Sequence, residues 1–392
     1  MAYESISTAV RYIGVYDETL DLFESQYPVP LGMVYNSYLI LDEKVAVFDT
    51  VDRRATDQWL QNLTEALEGR TPDYLIVSHA EPDHAANAAR LCALYPQLKV
   101  VGNARTFPLL QQLYGQDFLP TDRRVTVAEG DTLPLGQHTL RFVLAPMVHW
   151  PEAMVTYEQT EQILFSADAF GRFGGRHYII DWAGEARRYY GNIVGKYGAQ
   201  VRTLLQKAAA LSIQTLCPLH GPVRQGDEVA ETLAFYRNWS SYTPDRPGSV
   251  MVAYSSVHGN TAAAALRACE LLKAQGVEVM RVDLTRTHVS WVVAVAFMCG
   301  KWLLASPTVD GDMMPVMTVL LNCLKSKNLR NRTVALLENG LWTPMAAKKM
   351  AEALAQMPEM RLVEGPVTVR GTLTVQTEAE LEALCRRLAE AE

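Results

Sequence analysis

The sequence predicts an α/β protein of two domains, and three features of its pattern lead to this prediction. The second half alternates apolar, strand-like runs with helical segments, which is typical of βαβ units in a parallel sheet. A stretch rich in Ser, Pro and Gly over residues 240–248 indicates a linker. Several apolar runs of the first half stop at a His or an Asp. We therefore expect one domain over residues 1–246 and another over residues 247–392.

The composition disfavours several classes of protein. Hydrophobic residues make up 49% and charged residues 20%, which suits a folded core and argues against disorder. A net charge of -7 disfavours nucleic acid as a partner. The longest apolar run, residues 289–300, is too short to span a bilayer, and residues 1–20 lack the apolar segment of a signal peptide. The six scattered cysteines include no Cys-x-x-Cys pair, which excludes a rubredoxin-like iron site on this chain and favours a reducing cytoplasm.

The first half carries apolar runs that end at polar residues. A hairpin is predicted over residues 38–48, and strands are predicted at residues 74–77, 140–145, 163–165 and 215–217. Just beyond the last four runs come His79, His149, Asp168 and His220. Because strand ends of an α/β fold meet at one edge, we expect these side chains to converge.

The second half predicts a parallel sheet with helices on both faces. Its predicted strands and helices alternate regularly. Strands are expected at residues 250–253, 277–284, 302–305 and 333–337, and helices from residue 261 and around 290–298, 314–324 and 345–355, before a final strand and helix.

The densest cluster of possible metal ligands is His79-Ala80-Glu81-Pro82-Asp83-His84. In an extended loop the side chains of His79 and Glu81 point the same way, and Pro82 can begin a helix that carries the next two ligands. With His149, Asp168 and His220 added, the set holds four His and three carboxylates, which is enough for two neighbouring metals. This mixture favours non-haem iron or manganese and tolerates zinc. The alternative, unrelated polar residues on loops, fits such a dense cluster poorly.

A second candidate site lies on three loops that follow strands of the second domain. Hydroxyls, a glycine and the N–H groups of a helix start can bind an anion without a basic residue. The spacing is neither G-x-G-x-x-G nor a Walker loop, which disfavours NAD and ATP. On the residues alone, ordinary strand–helix turns with helix caps are equally consistent. The candidate binding residues are Ser255, Ser256, Val257, His258, Gly259, Asn260 and Thr261 in the first loop, Pro307, Thr308, Val309 and Asp310 in the second, and Asn339, Gly340, Leu341 and Trp342 in the third.

These motifs resemble those of a known family. The His-x-Glu-x-Asp-His pattern is similar to the metal motif of the metallo-β-lactamase superfamily, whose zinc hydrolases usually carry His in place of Glu81. The Glu81 form, together with residues 149–152, 166–171 and 219–222, resembles the flavodiiron proteins. The resemblance implies an N-terminal metallo-β-lactamase-like αββα sandwich and a C-terminal flavodoxin-like doubly wound parallel sheet. It also implies FMN and two iron ions. One iron would bind His79, Glu81 and His149, the other Asp83, His84 and His220, and Asp168 would bridge them.

The activity that the resemblance implies is reduction of dioxygen to water, of nitric oxide to nitrous oxide, or both. The implied electron donor is a rubredoxin or a rubredoxin-like reductase, and the implied assembly is a head-to-tail homodimer or a dimer of dimers. Two alternatives stay open: a zinc-dependent hydrolase fused to a flavodoxin-like domain, which Glu81 disfavours, and a non-catalytic redox sensor or electron carrier.

The third flavin loop departs from the family pattern. In the family this loop usually reads Ser-Tyr-Gly-Trp, and Glu338 and Leu341 break that pattern. In the first loop, His258 stands where many members of the family have an aromatic residue. A carboxylate near a flavin could disfavour its anionic reduced form.

Other polar residues carry weaker signals. His177 is either a hydrogen-bonding group near the iron pocket or a solvent-facing residue. Arg187 and Arg188 are expected on a solvated helix face, and His138 and His288 are expected to be structural or exposed.

Overall fold

The structure is a computed structural model that describes residues 4–175 and 182–391. The chain forms two compact units, residues 1–190 with 199–237 and residues 191–198 with 238–392. The predicted domain boundary at residue 246 stays a prediction. In the described part of the chain, no helix combines the length and the apolar character that crossing a bilayer requires.

The first unit contains two large sheets and two small ribbons. Its strands are β1 (Glu4–Ser5), β2 (Val10–Tyr12), β3 (Val15–Asp17), β4 (Leu22–Phe23), β5 (Tyr27–Pro28), β6 (Met33–Tyr35), β7 (Tyr38–Leu41), β8 (Val45–Phe48), β9 (Tyr74–Ile76), β10 (Lys99–Asn103), β11 (Arg124–Val127), β12 (Thr132–Pro134), β13 (Thr139–Leu144), β14 (Met154–Glu158), β15 (Ile163–Phe165), β16 (Thr215–Cys217) and β17 (Arg224–Gln225). The helices up to residue 240 are α1 (Thr56–Leu67), α2 (Pro82–Ala85), α3 (Ala88–Leu94), α4 (Thr106–Tyr114), α5 (Trp182–Tyr189), α6 (Gly198–Ala208) and α7 (Asp227–Ser240), with 3-10 turns at Arg53–Ala55, Thr121–Arg123 and Gly195–Tyr197 and a π-turn at Tyr190–Val194.

The two large sheets pack face to face in a sandwich. Their strand orders are β1-β2-β7-β8-β9-β10-β11 and β12-β13-β14-β15-β16-β17. Apolar side chains of both sheets form one buried cluster, in which the rings of Phe48 and Phe165 stack with centroids 3.8 Å apart. Helix α1 covers the first sheet with Trp59 and Leu63, which are fully buried. The predicted αββα sandwich is confirmed.

The second unit is a parallel sheet of βαβ units. Its strands are β18 (Arg246–Tyr254), β19 (Val279–Asp283), β20 (Cys299–Val309), β21 (Asp312–Met313), β22 (Arg332–Asn339), β23 (Met360–Leu362) and β24 (Val367–Val369), and its helices are α8 (Asn260–Ala274), α9 (Val289–Met298), α10 (Pro315–Ser326), α11 (Ala346–Leu354) and α12 (Val375–Glu390). The order is β19-β18-β20-β22-β23, with β24 also paired to β22 and all of these pairs parallel. This is the 2-1-3-4-5 order of flavodoxin-like sheets, so the predicted doubly wound fold is confirmed.

Strands β18, β20 and β22 are longer than their apolar runs predicted, and the first two differ most. Strand β18 begins at Arg246, which pairs with Cys299, and the register then shifts before Val250. Strand β20 continues to Val309 and turns back into β21 through Asp310 and Gly311, both of which have positive φ. This turn requires left-handed residues, which Asp-Gly supplies, and the predicted second binding loop is therefore partly a hairpin.

Candidate functional sites

All seven predicted metal ligands lie together at the carboxyl ends of strands of the first unit. The loop after β9 and helix α2, which Pro82 begins, supply four of them, and the loops after β13, β15 and β16 supply one each. They form two groups, namely His79, Glu81, His149 and Asp168, and Asp83, His84 and His220.

In the first group, two imidazoles face the same two carboxylates. Glu81 Oε2 lies 3.1 Å from His79 Nε2 and 3.2 Å from His149 Nε2. Asp168 Oδ2 lies 3.3 Å and 3.2 Å from the same two nitrogens. Four donor atoms from three loops thus surround one point.

The second group repeats this arrangement with the other oxygen of Asp168. Asp83 Oδ2 lies 3.3 Å from both His84 Nε2 and His220 Nε2. Asp168 Oδ1 lies 3.2 Å from His84 Nε2 and 3.6 Å from His220 Nε2. Asp168 therefore directs one oxygen at each histidine pair, as a carboxylate that bridges two cations would.

These spacings suit metal coordination. With metal–ligand bonds of about 2.1 Å, ligand atoms 90° to 110° apart lie roughly 3.0–3.4 Å from one another. Both oxygens of Asp83, Oδ1 of Asp168 and Nε2 of His149 are buried and have no hydrogen-bond partner among the described residues. Buried polar atoms without partners are rare because desolvation costs about 1–3 kcal/mol each. The donor set therefore fits two cations.

The electrostatics of the cluster favour bound cations. Burial lowers the pKa of His84 and of His149, but neighbouring carboxylates, among them Asp168, outweigh burial and raise each pKa to about 9. Burial raises the pKa of Asp168, but the attraction of His84 and His79 outweighs it and holds that pKa well below its usual range. Asp168 is thus a carboxylate whose negative charge requires positive neighbours.

Two buried acids that were not predicted as site residues support the ligands. Asp49, which follows β8, accepts hydrogen bonds from the backbone N–H groups of Ser78 (2.7 Å) and His79 (3.4 Å). Glu152 lies 2.7 Å from His79 Nδ1 and accepts a hydrogen bond from the N–H of Ala80. Asp49 could have been found, because it too follows an apolar run that ends at a polar residue.

Aromatic rings close one side of the cluster, and a cavity opens on another. The rings of Phe23, Tyr189 and Tyr35 lie 5.2, 5.7 and 6.2 Å from the ring of His220, and all three are buried. A cavity of about 350 Å³ is lined by Phe23 and Tyr35 and, on the metal-ligand side, by Glu81 and Asp83. Small molecules can therefore reach the carboxylates from this side.

Other predictions for the first unit have mixed outcomes. His177 lies outside the described residues. The expectation that Arg187 and Arg188 are solvated is wrong, since both are buried. The guanidinium of Arg188 lies 4.3 Å from the ring of Phe173 and 2.8 Å from Glu185, so an ion pair and aromatic stacking replace water.

The three predicted binding loops of the second unit follow neighbouring strands β18, β20 and β22. Ser255 is buried at the end of β18, while residues 257–260 are exposed. Ser256 Oγ accepts a hydrogen bond from the N–H of Gly259, which has a φ of 91° and precedes α8. The residues that lead into this helix are exposed, as a phosphate-binding loop requires.

Large apolar side chains are exposed at the same edge of the sheet. Trp342 is 79% exposed, Leu341 65% and Val257 53%. A soluble surface seldom exposes a tryptophan to this extent, so this edge suits a flat apolar ligand above the anion-binding loop.

Several side chains of these loops hold the loops themselves. Thr308 Oγ1 accepts hydrogen bonds from the N–H groups of Met345 and Ala346, at the start of α11. Asn339 binds both the carbonyl and the N–H of Gly371. Their side chains therefore shape the site, and a ligand would contact their backbone.

The carboxylate of Glu338 is similarly engaged. Its Oε2 accepts a hydrogen bond from the N–H of Ala347 (2.9 Å), and its Oε1 accepts one from the hydroxyl of Thr368 (2.8 Å). Glu338 thus joins the start of α11 to β24. Its departure from the family pattern has a structural reason.

Comparisons with known proteins agree with this architecture. A family model described as "ODP family beta lactamase" matches residues 33–221. The nitric oxide reductase of Moorella thermoacetica is 28% identical over 376 residues, which cover 92% of each protein, and the rubredoxin-oxygen oxidoreductase of Megalodesulfovibrio gigas is 26% identical over 402 residues, which cover 100% of this chain and 98% of that one. The crystal structure of the flavodiiron protein from Giardia intestinalis has the same fold, with a TM-score of 0.92, 24% identity, and coverage of 100% of this chain and 96% of that one.

The chain has the fold of the flavodiiron proteins. It joins a β-lactamase-like unit to a flavodoxin-like sheet, and the zinc-hydrolase alternative is not favoured. The departures at His258, Glu338 and Leu341 lie in the second unit, so they leave the two metal-ligand groups intact.

Proposed function

We propose that this chain is a flavodiiron protein that reduces dioxygen to water, nitric oxide to nitrous oxide, or both, with electrons that reach a di-iron site through FMN. The proposal rests on the position of the Asp168 carboxylate between the two histidine pairs. Its Oδ2 lies 3.2–3.3 Å from the imidazoles of the first group, and its Oδ1 lies 3.2–3.6 Å from the imidazoles of the second group. Dioxygen takes up four electrons and four protons to give two waters. Two nitric oxide molecules take up two electrons and two protons to give nitrous oxide and water.

In this proposal His79, Glu81 and His149 hold one iron, and Asp83, His84 and His220 hold the other. Four imidazoles and three carboxylates form a donor set typical of redox-active non-haem iron. Paired iron supplies one-electron redox steps at two adjacent centres. Asp168, whose two oxygens each face one histidine pair, would keep the two centres close and offset their positive charge.

The residues around the ligands control access and geometry. Phe23, Tyr35 and Tyr189 exclude water from the side of His220, whose Nδ1 donates to the carbonyl of Val34 at 2.7 Å. The open side beside Glu81 and Asp83 is large enough for a diatomic gas. The buried site thus strengthens the interactions of its carboxylates with positive charge.

FMN would bind on the three loops of the second unit. The helix start at Asn260, with Ser255, Ser256 and Thr261, would receive the phosphate, and Trp342 would stack on the ring. The flavin supplies an electron store that accepts two electrons and releases them singly. Asn339 and Thr308 keep the loops in place through the hydrogen bonds described above.

The names of the relatives support this choice of substrate and donor. One relative is called a nitric oxide reductase and another a rubredoxin-oxygen oxidoreductase. We therefore propose a rubredoxin-type donor, since this chain lacks a Cys-x-x-Cys pair. Because the candidate iron and flavin residues lie on different units, a head-to-tail homodimer or a dimer of dimers is proposed as the assembly. The cytoplasm is proposed as its location.

One anaerobic assay tests the proposal. The purified protein would be quantified for iron and FMN, mixed with reduced rubredoxin, and given dioxygen or nitric oxide in turn. We expect about two irons and one FMN per chain and donor-dependent consumption of at least one gas. Stoichiometric zinc with hydrolase turnover, or flavin with an inert metal site, would contradict the proposal. Sedimentation of an active strict monomer would contradict the assembly.

A further inference from the structure

The histidines of the two ligand groups differ in what lies behind them. His79 Nδ1 lies 2.7 Å from Glu152 Oε1, and both side chains are fully buried. His220 Nδ1 instead donates to a neutral carbonyl, that of Val34, and His84 Nδ1 is buried with no hydrogen-bond partner among the described residues. In the second group, therefore, neither imidazole is hydrogen-bonded to a carboxylate through Nδ1, and the buried carboxylate of Asp49 acts on His84 through charge alone.

The position of Glu152 is fixed on several sides. Its Oε1 also accepts a hydrogen bond from the N–H of Ala80 at 2.8 Å, and the side chain of Asn103 donates to its backbone carbonyl. The ring of Trp150 lies edge-on to the ring of His79, with centroids 5.1 Å apart. The carboxylate of Glu152 is thus held in a fixed position behind the ring of His79.

A carboxylate in this position has two consequences. When Nδ1 of His79 donates its proton to Glu152, the lone pair of Nε2 is free for a metal that Glu81 and Asp168 would also bind. The negative charge behind the ring also makes the imidazole a stronger electron donor.

We propose that Glu152 is a positioning residue that makes the metal site of His79, Glu81 and His149 tighter and more electron-rich than the site of Asp83, His84 and His220. The inference rests on the proposed di-iron function and adds that its two metals are unequal. Partners of this kind typically change metal affinity by about 10- to 100-fold.

The test compares Glu152→Gln with wild-type holoprotein. Glutamine keeps the shape and can still accept from Nδ1 of His79, but it removes the charge. We expect Fe²⁺ to be lost to a chromogenic ferrous chelator about 10- to 100-fold faster for one of the two equivalents, with the other unchanged. In Mössbauer spectra of ⁵⁷Fe protein, one ferrous component should change and the other should not.

Glu158→Gln is the matched control. Glu158 is also fully buried, but its carboxylate accepts the N–H groups of Thr160 and Glu161 at the other end of β14. This variant should release both irons at wild-type rates. If Glu152→Gln does not fold, Glu152→Asp retains the charge at a longer distance and should show a smaller loss of the same equivalent.

The outcomes separate this inference from the proposed function. Equal weakening of both irons, or release of both at wild-type rates, in a Glu152 variant would overturn the role of Glu152. Wild-type protein that binds fewer than two metals would instead refute the di-iron proposal on which it rests.

Discussion

Glu338 offers a test of whether the unusual flavin loop acts through charge or through structure. Its two carboxylate oxygens accept hydrogen bonds from the N–H of Ala347 and the hydroxyl of Thr368, and the side chain is 7% exposed. Glu338→Ala would leave the buried N–H of Ala347 without its partner, whereas the half-buried hydroxyl of Thr368 can turn to water. At about 1–3 kcal/mol for one buried unsatisfied group, the cost is about 1–3 kcal/mol of unfolding free energy.

Glu338→Gln should cost less. The amide oxygen can accept from the N–H of Ala347, and the hydroxyl of Thr368 can rotate to accept from the amide nitrogen. What is lost is the negative charge at the start of α11, worth about 1 kcal/mol. The flavin midpoint potential should stay within about 30 mV of the wild-type value, which corresponds to about 1.4 kcal/mol for a two-electron couple.

Urea unfolding and anaerobic potentiometry would measure these quantities. Glu352→Gln is the control, since Glu352 is exposed on the same helix and should change unfolding free energy by less than about 0.5 kcal/mol. If Glu338→Ala unfolded like the wild type while Glu338→Gln shifted the potential by much more than 30 mV, the structural role argued here would be refuted.

Three further predictions follow from the geometry. Asp168→Asn replaces one oxygen by a nitrogen that cannot bridge, so the protein should hold at most one metal per chain by metal analysis. Trp342→Ala should raise the Kd for FMN by about 2- to 10-fold, measured by fluorescence titration, without a change in the urea midpoint, because the side chain is 79% exposed. Burial lowers the pKa of His138, but hydrogen bonds with Asp42 and Glu161 outweigh burial and raise that pKa above 6.5. The stabilisation by His138 is therefore complete below pH about 6.5 and is lost as the pH rises through the folded pKa. His138→Gln should remove this part of the pH dependence of urea unfolding.

Each of these three predictions can fail. Two metals per chain in Asp168→Asn would show that Asp168 does not bridge. An unchanged Kd in Trp342→Ala would place the flavin ring elsewhere. If His138→Gln lost as much stability as the wild type between pH 6 and pH 9, the contacts of His138 would not be the titrating element.

The metal ligands could be predicted because their positions follow from local rules. His79, Glu81, Asp83 and His84 lie on one loop and the start of one helix, where spacing and a proline determine direction. The distant ligands follow apolar runs, whose ends meet at one edge of a sheet. Spacing along the chain is thus enough to propose the set.

Contacts between distant segments could not be predicted in the same way. Glu152 is 73 residues from His79, and no local pattern says that their side chains meet. Arg188 looks like a solvated residue in its own helix, and its burial depends on the ring of Phe173 and the carbonyl of Pro28, which come from other segments. Likewise, the sequence suggests that Glu338 lies near the flavin, whereas in the structure its carboxylate accepts hydrogen bonds from Ala347 and Thr368.

The end of the sandwich opposite the ligands has its own polar cluster. His138 Nδ1 lies 2.7 Å from Asp42 Oδ2, and His138 Nε2 lies 3.3 Å from Glu161 Oε1. Gly136 has a φ of 133°, and a Cβ there would lie 2.5 Å from Asp42 Oδ1, so this close approach requires glycine. Buried Glu158 faces the same histidine and adds to its pKa shift.

This cluster joins the starts of the strands whose far ends lead to the ligands. Asp42 precedes β8, His138 precedes β13 and Glu161 precedes β15, while His149 and Asp168 follow β13 and β15. A one-residue slip of a strand would turn its side chains to the opposite face, so contacts that fix the starts of these strands also fix the direction of the ligands. Stability and chemistry are therefore divided between the two ends of the same strands. Changes at His138 should lower the free energy of unfolding, yet each chain that folds should keep its metals, because the ligands themselves are untouched.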